Sequence, residues 1–122
     1  MELQDKLKKI IQVLDSKKAE NIEALCIRDL TVIADYFVIA NGTSTTHTKT
    51  IADEVEYQLS QAGIKPARTE GYSGSNWIVI DYSDIIVHVF YKETRDFYQL
   101  ERLWADGERI DISELLEEGQ AQ

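Results

Sequence analysis

The sequence predicts a single mixed α/β domain, with helices covering a mixed sheet of roughly five strands. Segments with apolar residues at helical spacing alternate with short β-branched and aromatic runs, in the order α-β-β-α-β-β-β-α. The 122 residues have room for one modest core, and no internal repeat or low-complexity linker marks a second domain. Hydrophobic content of 43% and charged content of 29% are ordinary for a soluble globular protein.

The elements follow in order. Leu3, Leu7, Ile10, Ile11 and Leu14 recur at helical spacing with Lys and Asp between them, which predicts an amphipathic first helix. "IEALCIRDL" and "ADYFVIANG" are rich in strand-forming residues and predict two strands, the second ending at Gly42. "TSTTHTKTIADEVEYQLSQAG" predicts a helix whose Ser/Thr-rich start supplies an N-cap and whose Gly63 closes the C-terminus. "IKPARTEG" reads as a short strand, and Pro66 places it at an edge or a strand start. "ETRDFYQLERLW" predicts the last helix, with Phe97, Leu100, Leu103 and Trp104 as a core-facing stripe. The domain thus covers residues 1–112, and residues 113–122 form an acidic, fraying C-terminal tail.

"SNWIVIDYSDIIVHVF" predicts a hairpin. With Tyr82 and Ser83 in the turn, Ile80 faces Ile85, Ile78 faces Val87 and Asn76 faces Val89, an aliphatic face to be buried. The opposite face pairs Asp81 with Asp84, Val79 with Ile86 and Trp77 with His88. Two opposed aspartates are unfavourable unless solvated or bridged by a cation, and a solvated turn is the preferred reading.

Charge and cysteine content narrow the function. The formal charge of −9 disfavours a broad grip on a phosphate backbone and suits a basic partner. A single cysteine, Cys26, builds no disulfide framework and reads as a buried structural thiol. The start lacks the apolar core of a signal peptide, and no apolar run is long enough to cross a membrane, so a cytoplasmic location is expected.

Enzyme readings find little support. The Gly42–Ser44 loop, between a strand and a helix, could cradle phosphate through backbone N–H groups. A nucleotidyl transfer site also needs paired carboxylates on one strand face, and no D-x-D is present. Two histidines, His47 and His88, without C-x-x-C or H-E-x-x-H spacing make a zinc site improbable. Ser44, His88 and Asp81 could be drawn as a triad, but no local motif supports one. No catalytic residue, cofactor or metal is therefore expected. A nucleotide-binding domain using the Gly42–Ser44 loop stands as the alternative function.

"ADYFVIANGTSTTHTKTIADEVEYQL", "EGYSGSNWIVIDYSDIIVHVF" and "RDFYQLERLW" resemble the Iojap family of ribosomal silencing factors, over roughly residues 3 to 112. The resemblance implies a nucleotidyltransferase-like fold without the catalytic carboxylates. It also implies binding to the large ribosomal subunit at ribosomal protein L-fourteen, which blocks subunit joining and represses translation. Little direct nucleic-acid contact and no membrane are expected, with a homodimer as an open option for the free protein. The family's turn reads Asp-Tyr-Gly-Asp where this chain has Ser83, and a Ser at positive φ carries strain.

The expected partner-binding residues are Trp77, Asp81 and His88 on the hairpin and Arg95, Tyr98 and Glu101 on one side of the last helix. Trp77 is the expected anchor, because the other hairpin face already supplies an aliphatic core. On that reading Trp77→Ala cripples large-subunit binding, by about thirtyfold, while barely moving the unfolding midpoint.

Overall fold

The computed structural model describes the backbone of residues 2–120 and the side chains of residues 2–116. Helix α1 (Leu3–Ser16) is followed by strands β1 (Glu20–Cys26) and β2 (Tyr36–Gly42), then helix α2 (Thr45–Gln61). Strands β3 (Arg68–Glu70), β4 (Trp77–Asp81) and β5 (Ile85–Tyr91) come next. The chain continues through α3 (Lys92–Tyr98), α4 (Leu100–Leu103), β6 (Glu108–Arg109) and α5 (Ile112–Gln120). The sheet is mixed, in the order β3-β4-β5-β2-β1-β6, with β2 and β5 parallel and the other neighbours antiparallel. It has six strands rather than five; the two-residue β6 carries no strand signal of its own and exists only by pairing with Leu25 and Cys26.

Strands β2 and β5 are central and buried on both faces, which is why "YFVIANG" and "IIVHVF" are nearly continuous in apolar residues. The first sheet face packs Ile78, Ile80, Ile85, Val87 and Val89 against α1 and α2. Leu7, Ile10, Ile11 and Leu14 supply the α1 side of this core, and Ile51, Val55 and Leu59 the α2 side. Ser44 caps α2 by accepting the His47 N–H at 3.0 Å, and Gly63 ends it at φ 82°, where an added Cβ would be strained. Residues 113–120 of the expected tail are helical, within α5. Ile112, Leu115 and Leu116 pack on the first core, the Gln12 amide donates to the Leu115 carbonyl, and the helix runs on to Gln120. Positions 121 and 122 of the expected tail lie outside the described residues.

The second face is covered by less. Leu25, Ile27, Phe37, Ile39, Ile86, Phe90 and Leu100 form its cluster, with Trp77, Val79 and Trp104 packed at the margin. Among the described residues, the helical cover over it is the short α3–α4 segment. The expected stripe on this segment splits, because the helix breaks at Gln99 with φ 48°. Leu100 and Trp104 turn inward while Phe97 and Leu103 are left exposed.

The hairpin turns one residue later than expected. Asp81 pairs with Ile86, Ile80 with Val87, Val79 with His88, Ile78 with Val89 and Trp77 with Phe90. The central turn positions are Ser83 and Asp84, closed by the Tyr82 N–H donating to Ile85. Each strand still presents the same side chains to the same face, since moving the turn by one residue on both strands preserves the alternation. The two aspartates do not stand side by side. Asp84 pairs with Lys6 of α1 at 2.9 Å on the first face, while Asp81 accepts the Ser83 N–H at 2.8 Å and faces Arg68. Separation onto opposite faces relieves the like-charge contact that the earlier register would have forced.

Ser83 holds φ 75°, the conformation that glycine adopts without penalty. Ser83→Gly is expected to raise stability by about 0.5–1 kcal/mol, the relief of left-handed strain outweighing the extra freedom of the unfolded chain. Chemical denaturation of the two proteins checks this.

Candidate functional site

The margin of the second face carries a connected set of rings. The Trp77 indole stacks on Phe90 with centroids 4.8 Å apart, and Tyr98 of α3 leans on it at 5.0 Å. The Trp77 Nε1–H donates to His88 Nδ1 at 3.1 Å. Phe37 meets the His88 ring edge-on at 4.8 Å and Trp104 at 5.1 Å. Such edge and offset contacts are the favoured aromatic geometries. Gly71, at φ 89°, lets the preceding loop cross the Trp77 carbonyl, where a Cβ would fall 1.9 Å from the oxygen.

His88 sits in the middle of the face and is buried. Because its Nδ1 accepts from Trp77, the neutral ring carries its proton on Nε2, which has no partner among the described residues. Burial lowers its pKa from 6.5 to about 4, with Asp81 pulling weakly the other way. A neutral ring that holds an indole in place is suited to shaping a surface, not to proton transfer at neutral pH.

The six expected binding residues fall into four settings. Trp77 and Tyr98 meet at the face, Trp77 half-buried and Tyr98 52% exposed. Asp81 lies on the same face of β4 toward the hairpin tip, partly exposed. His88 is beneath Trp77, and Arg95 with its partner Glu101 lies on the side of α3–α4 that meets β1 and β2. The Arg95 side chain is 6% exposed and pairs with Glu23 at 3.1 Å as well as with Glu101 at 3.3 Å. The residues that sequence reasoning assigned to the core, yet which stand at the surface, are Phe97 at 80% and Leu103 at 76% exposure. No local signal marks them, because Gln99 is not a residue type that announces a helix break.

The Gly42–Ser44 loop is closed by hydrogen bonds of its own. The Thr43 N–H donates to His47 Nδ1 at 3.0 Å, the His47 N–H to Ser44 Oγ, and the Thr48 N–H to the Ser44 carbonyl. Three backbone N–H groups at the start of α2 and in the loop before it are thus committed within the protein. His47 in turn donates from Nε2 to the Lys17 carbonyl at 2.8 Å, tying α2 to the end of α1. Among the described residues, no three His, Cys, Asp or Glu side chains converge as metal ligands. Among them, too, no helix is long and apolar enough to cross a membrane.

Fold and site together define a class: a small mixed-sheet domain with a cluster of aromatic rings at the margin of one sheet face. A family model described as "Ribosomal silencing factor during starvation" matches residues 1–122. The ribosomal silencing factor RsfS of Halalkalibacterium halodurans is 38% identical over 112 residues, 92% of this chain and 96% of its own. A crystal structure of a Chromobacterium violaceum protein superposes with a TM-score of 0.84 at 32% identity, covering 86% of this chain and 88% of the other. A more distant relative is the mouse "Mitochondrial assembly of ribosomal large subunit protein 1". It is 29% identical over 98 residues, 78% of this chain and 43% of its own length. This chain belongs to the ribosomal silencing factor family, which is regulatory and not enzymatic.

Proposed function

We propose that this chain binds the large ribosomal subunit through the Trp77–Tyr98 face, at ribosomal protein L-fourteen, and by occupying that surface blocks small-subunit joining and represses translation. The observation that carries this reading is the open aromatic margin of the second face, where Trp77, Val79 and Tyr98 border solvent at the edge of the α3–α4 segment. Aromatic side chains at the centre of a contact patch are the commonest anchors of protein interfaces. The formal charge of −9 fits a basic ribosomal protein and favours fast, oriented encounter. The name of the mouse relative, which refers to large-subunit assembly, agrees with the choice of subunit. The protein would act in the cytoplasm with little direct nucleic-acid contact. A homodimer of the free protein completes the reading and is measured by sedimentation at rising concentration.

Co-sedimentation with separated ribosomal subunits tests the proposal. The protein is expected to pellet with large subunits and not small ones, less so as salt rises and screens surface charge beyond roughly 8 Å. Tyr98→Ala is the cleanest probe, because this ring is half exposed and its loss disturbs the core little. It is expected to weaken large-subunit binding about tenfold, near 1.4 kcal/mol, with little change in the unfolding midpoint. Equal pelleting with small subunits, or unaltered affinity of Tyr98→Ala, would count against this face.

A further inference from the structure

We infer that Arg95 is a positioning residue: it clamps the α3–α4 segment to the bulge of β1 and thereby holds Tyr98 against Trp77, without touching the partner itself. The inference rests on the binding face proposed above.

Four of the five N–H donors of Arg95 are committed within the protein. Its three side-chain nitrogens reach three other elements. Nε donates to Glu101 on α4 at 3.3 Å. Nη1 donates to the Asn21 carbonyl on β1 at 2.6 Å and to Asn41 Oδ1 on β2 at 3.0 Å. Nη2 donates to Glu23 on β1 at 3.1 Å. The Asn41 amide is itself oriented by donating to Glu20 at 3.1 Å. Only a planar, forked cation serves so many acceptors at once; a lysine would supply a single point charge.

The segment needs such a clamp. Helices of seven and four residues are too short to persist on their own hydrogen bonds. Their apolar hold on the sheet comes from Leu100 and Trp104, with the half-exposed Tyr98 resting on Trp77, while Phe97 and Leu103 face solvent. Two non-glycine residues with positive φ, Asn21 at 50° and Gln99 at 48°, stand at the two places where the clamp attaches. Such conformations persist only where surrounding contacts over-determine them. Arg95 provides these contacts at both: its guanidinium takes the Asn21 carbonyl, and its own carbonyl accepts the Gln99 N–H at 2.8 Å. Tyr98, three residues on, is thereby set 5.0 Å from Trp77 before any partner arrives. A face formed in advance binds more tightly than one that is populated only part of the time.

Arg95→Met, which keeps the bulk and removes the donors, and Arg95→Lys test this with three readings. Backbone hydrogen exchange across residues 92–103 is expected to quicken in Arg95→Met while β2 and β5 stay protected. The near-ultraviolet circular dichroism of the Trp77–Tyr98 contact is expected to weaken. Large-subunit affinity is expected to fall about tenfold, as it would if the competent arrangement dropped to a tenth of the molecules. Arg95→Lys should restore part of each. Lost affinity with unchanged exchange would make Arg95 a direct contact and overturn the inference. Faster exchange with full affinity would overturn it equally. Should Arg95→Met not fold, Glu101→Gln weakens the same link with the other partners intact, and the same three readings apply. A wild-type protein that fails to bind large subunits removes the function proposed above. The exchange and dichroism readings then decide the clamp alone, and their insensitivity to Arg95→Met would overturn it.

Discussion

Acidification from about pH 7 to about pH 4 is expected to remove roughly 3 kcal/mol of folding free energy through His88 alone. The ring is buried, its Nδ1 committed to the Trp77 N–H, and its pKa lowered from 6.5 to about 4. Between those two values the unfolded chain binds a proton that the folded protein refuses. Stability from this group is therefore complete above about pH 6.5 and drains away as pH falls toward the folded pKa, at about 1.4 kcal/mol per pH unit. Protonating Nδ1 would also break the bond to Trp77, so the loss of stability and the release of the indole share one cause. Urea denaturation of the wild type and of His88→Gln at a series of pH values separates His88 from the carboxylates, which both proteins share. The wild type should show the steeper fall between about pH 6.5 and 4.5. Parallel curves would show that His88 does not titrate on unfolding.

Truncating Trp77 to alanine is expected to lower stability by about 2–3 kcal/mol, somewhat below the range for a fully buried ring. The sequence alone pointed to a midpoint that barely moves, and the structure alters that expectation. The indole stacks on Phe90, supports Tyr98 and satisfies His88, so its removal opens a gap and leaves a buried acceptor without a donor. Trp77→Phe should retain most of the packing and lose about 1–2 kcal/mol through the missing N–H alone. Large-subunit affinity should fall about thirtyfold in Trp77→Ala, the effect of losing a central aromatic anchor worth about 2 kcal/mol. Calorimetry and co-sedimentation on both variants, at a temperature where Trp77→Ala is still folded, give the two quantities separately. Equal stability of Trp77→Phe and the wild type would show that the His88 bond contributes nothing.

The sequence by itself determined α1, α2 and strands β1 to β5, and which hairpin face is aliphatic. Those properties are periodic and local. Apolar spacing in Leu7, Ile10, Ile11 and Leu14 marks a helix face. Alternation in "WIVID" and "IIVHVF" assigns side chains to faces whatever the register, and Ser44 and Gly63 mark the ends of α2 by their own chemistry. That Trp77 and His88 share a face was legible for the same reason, but their direct pairing was not, since Trp77 stands opposite Phe90. Only the tertiary structure decided the rest, because it depends on groups far apart in the chain. The turn settled on Ser83 and Asp84, where Asp84 reaches Lys6 and its carbonyl accepts the Asp35 and Tyr36 N–H groups. The last helix broke at Gln99, where the bonds of Arg95 to β1 and β2 hold one half while Leu100 and Trp104 sink into the second face. Residues 112–120 became a helix because Ile112, Leu115 and Leu116 found the open edge of the first core. In each case a long-range contact supplied a free energy that no local window of sequence contains, and that contact chose among conformations the local sequence left nearly equal.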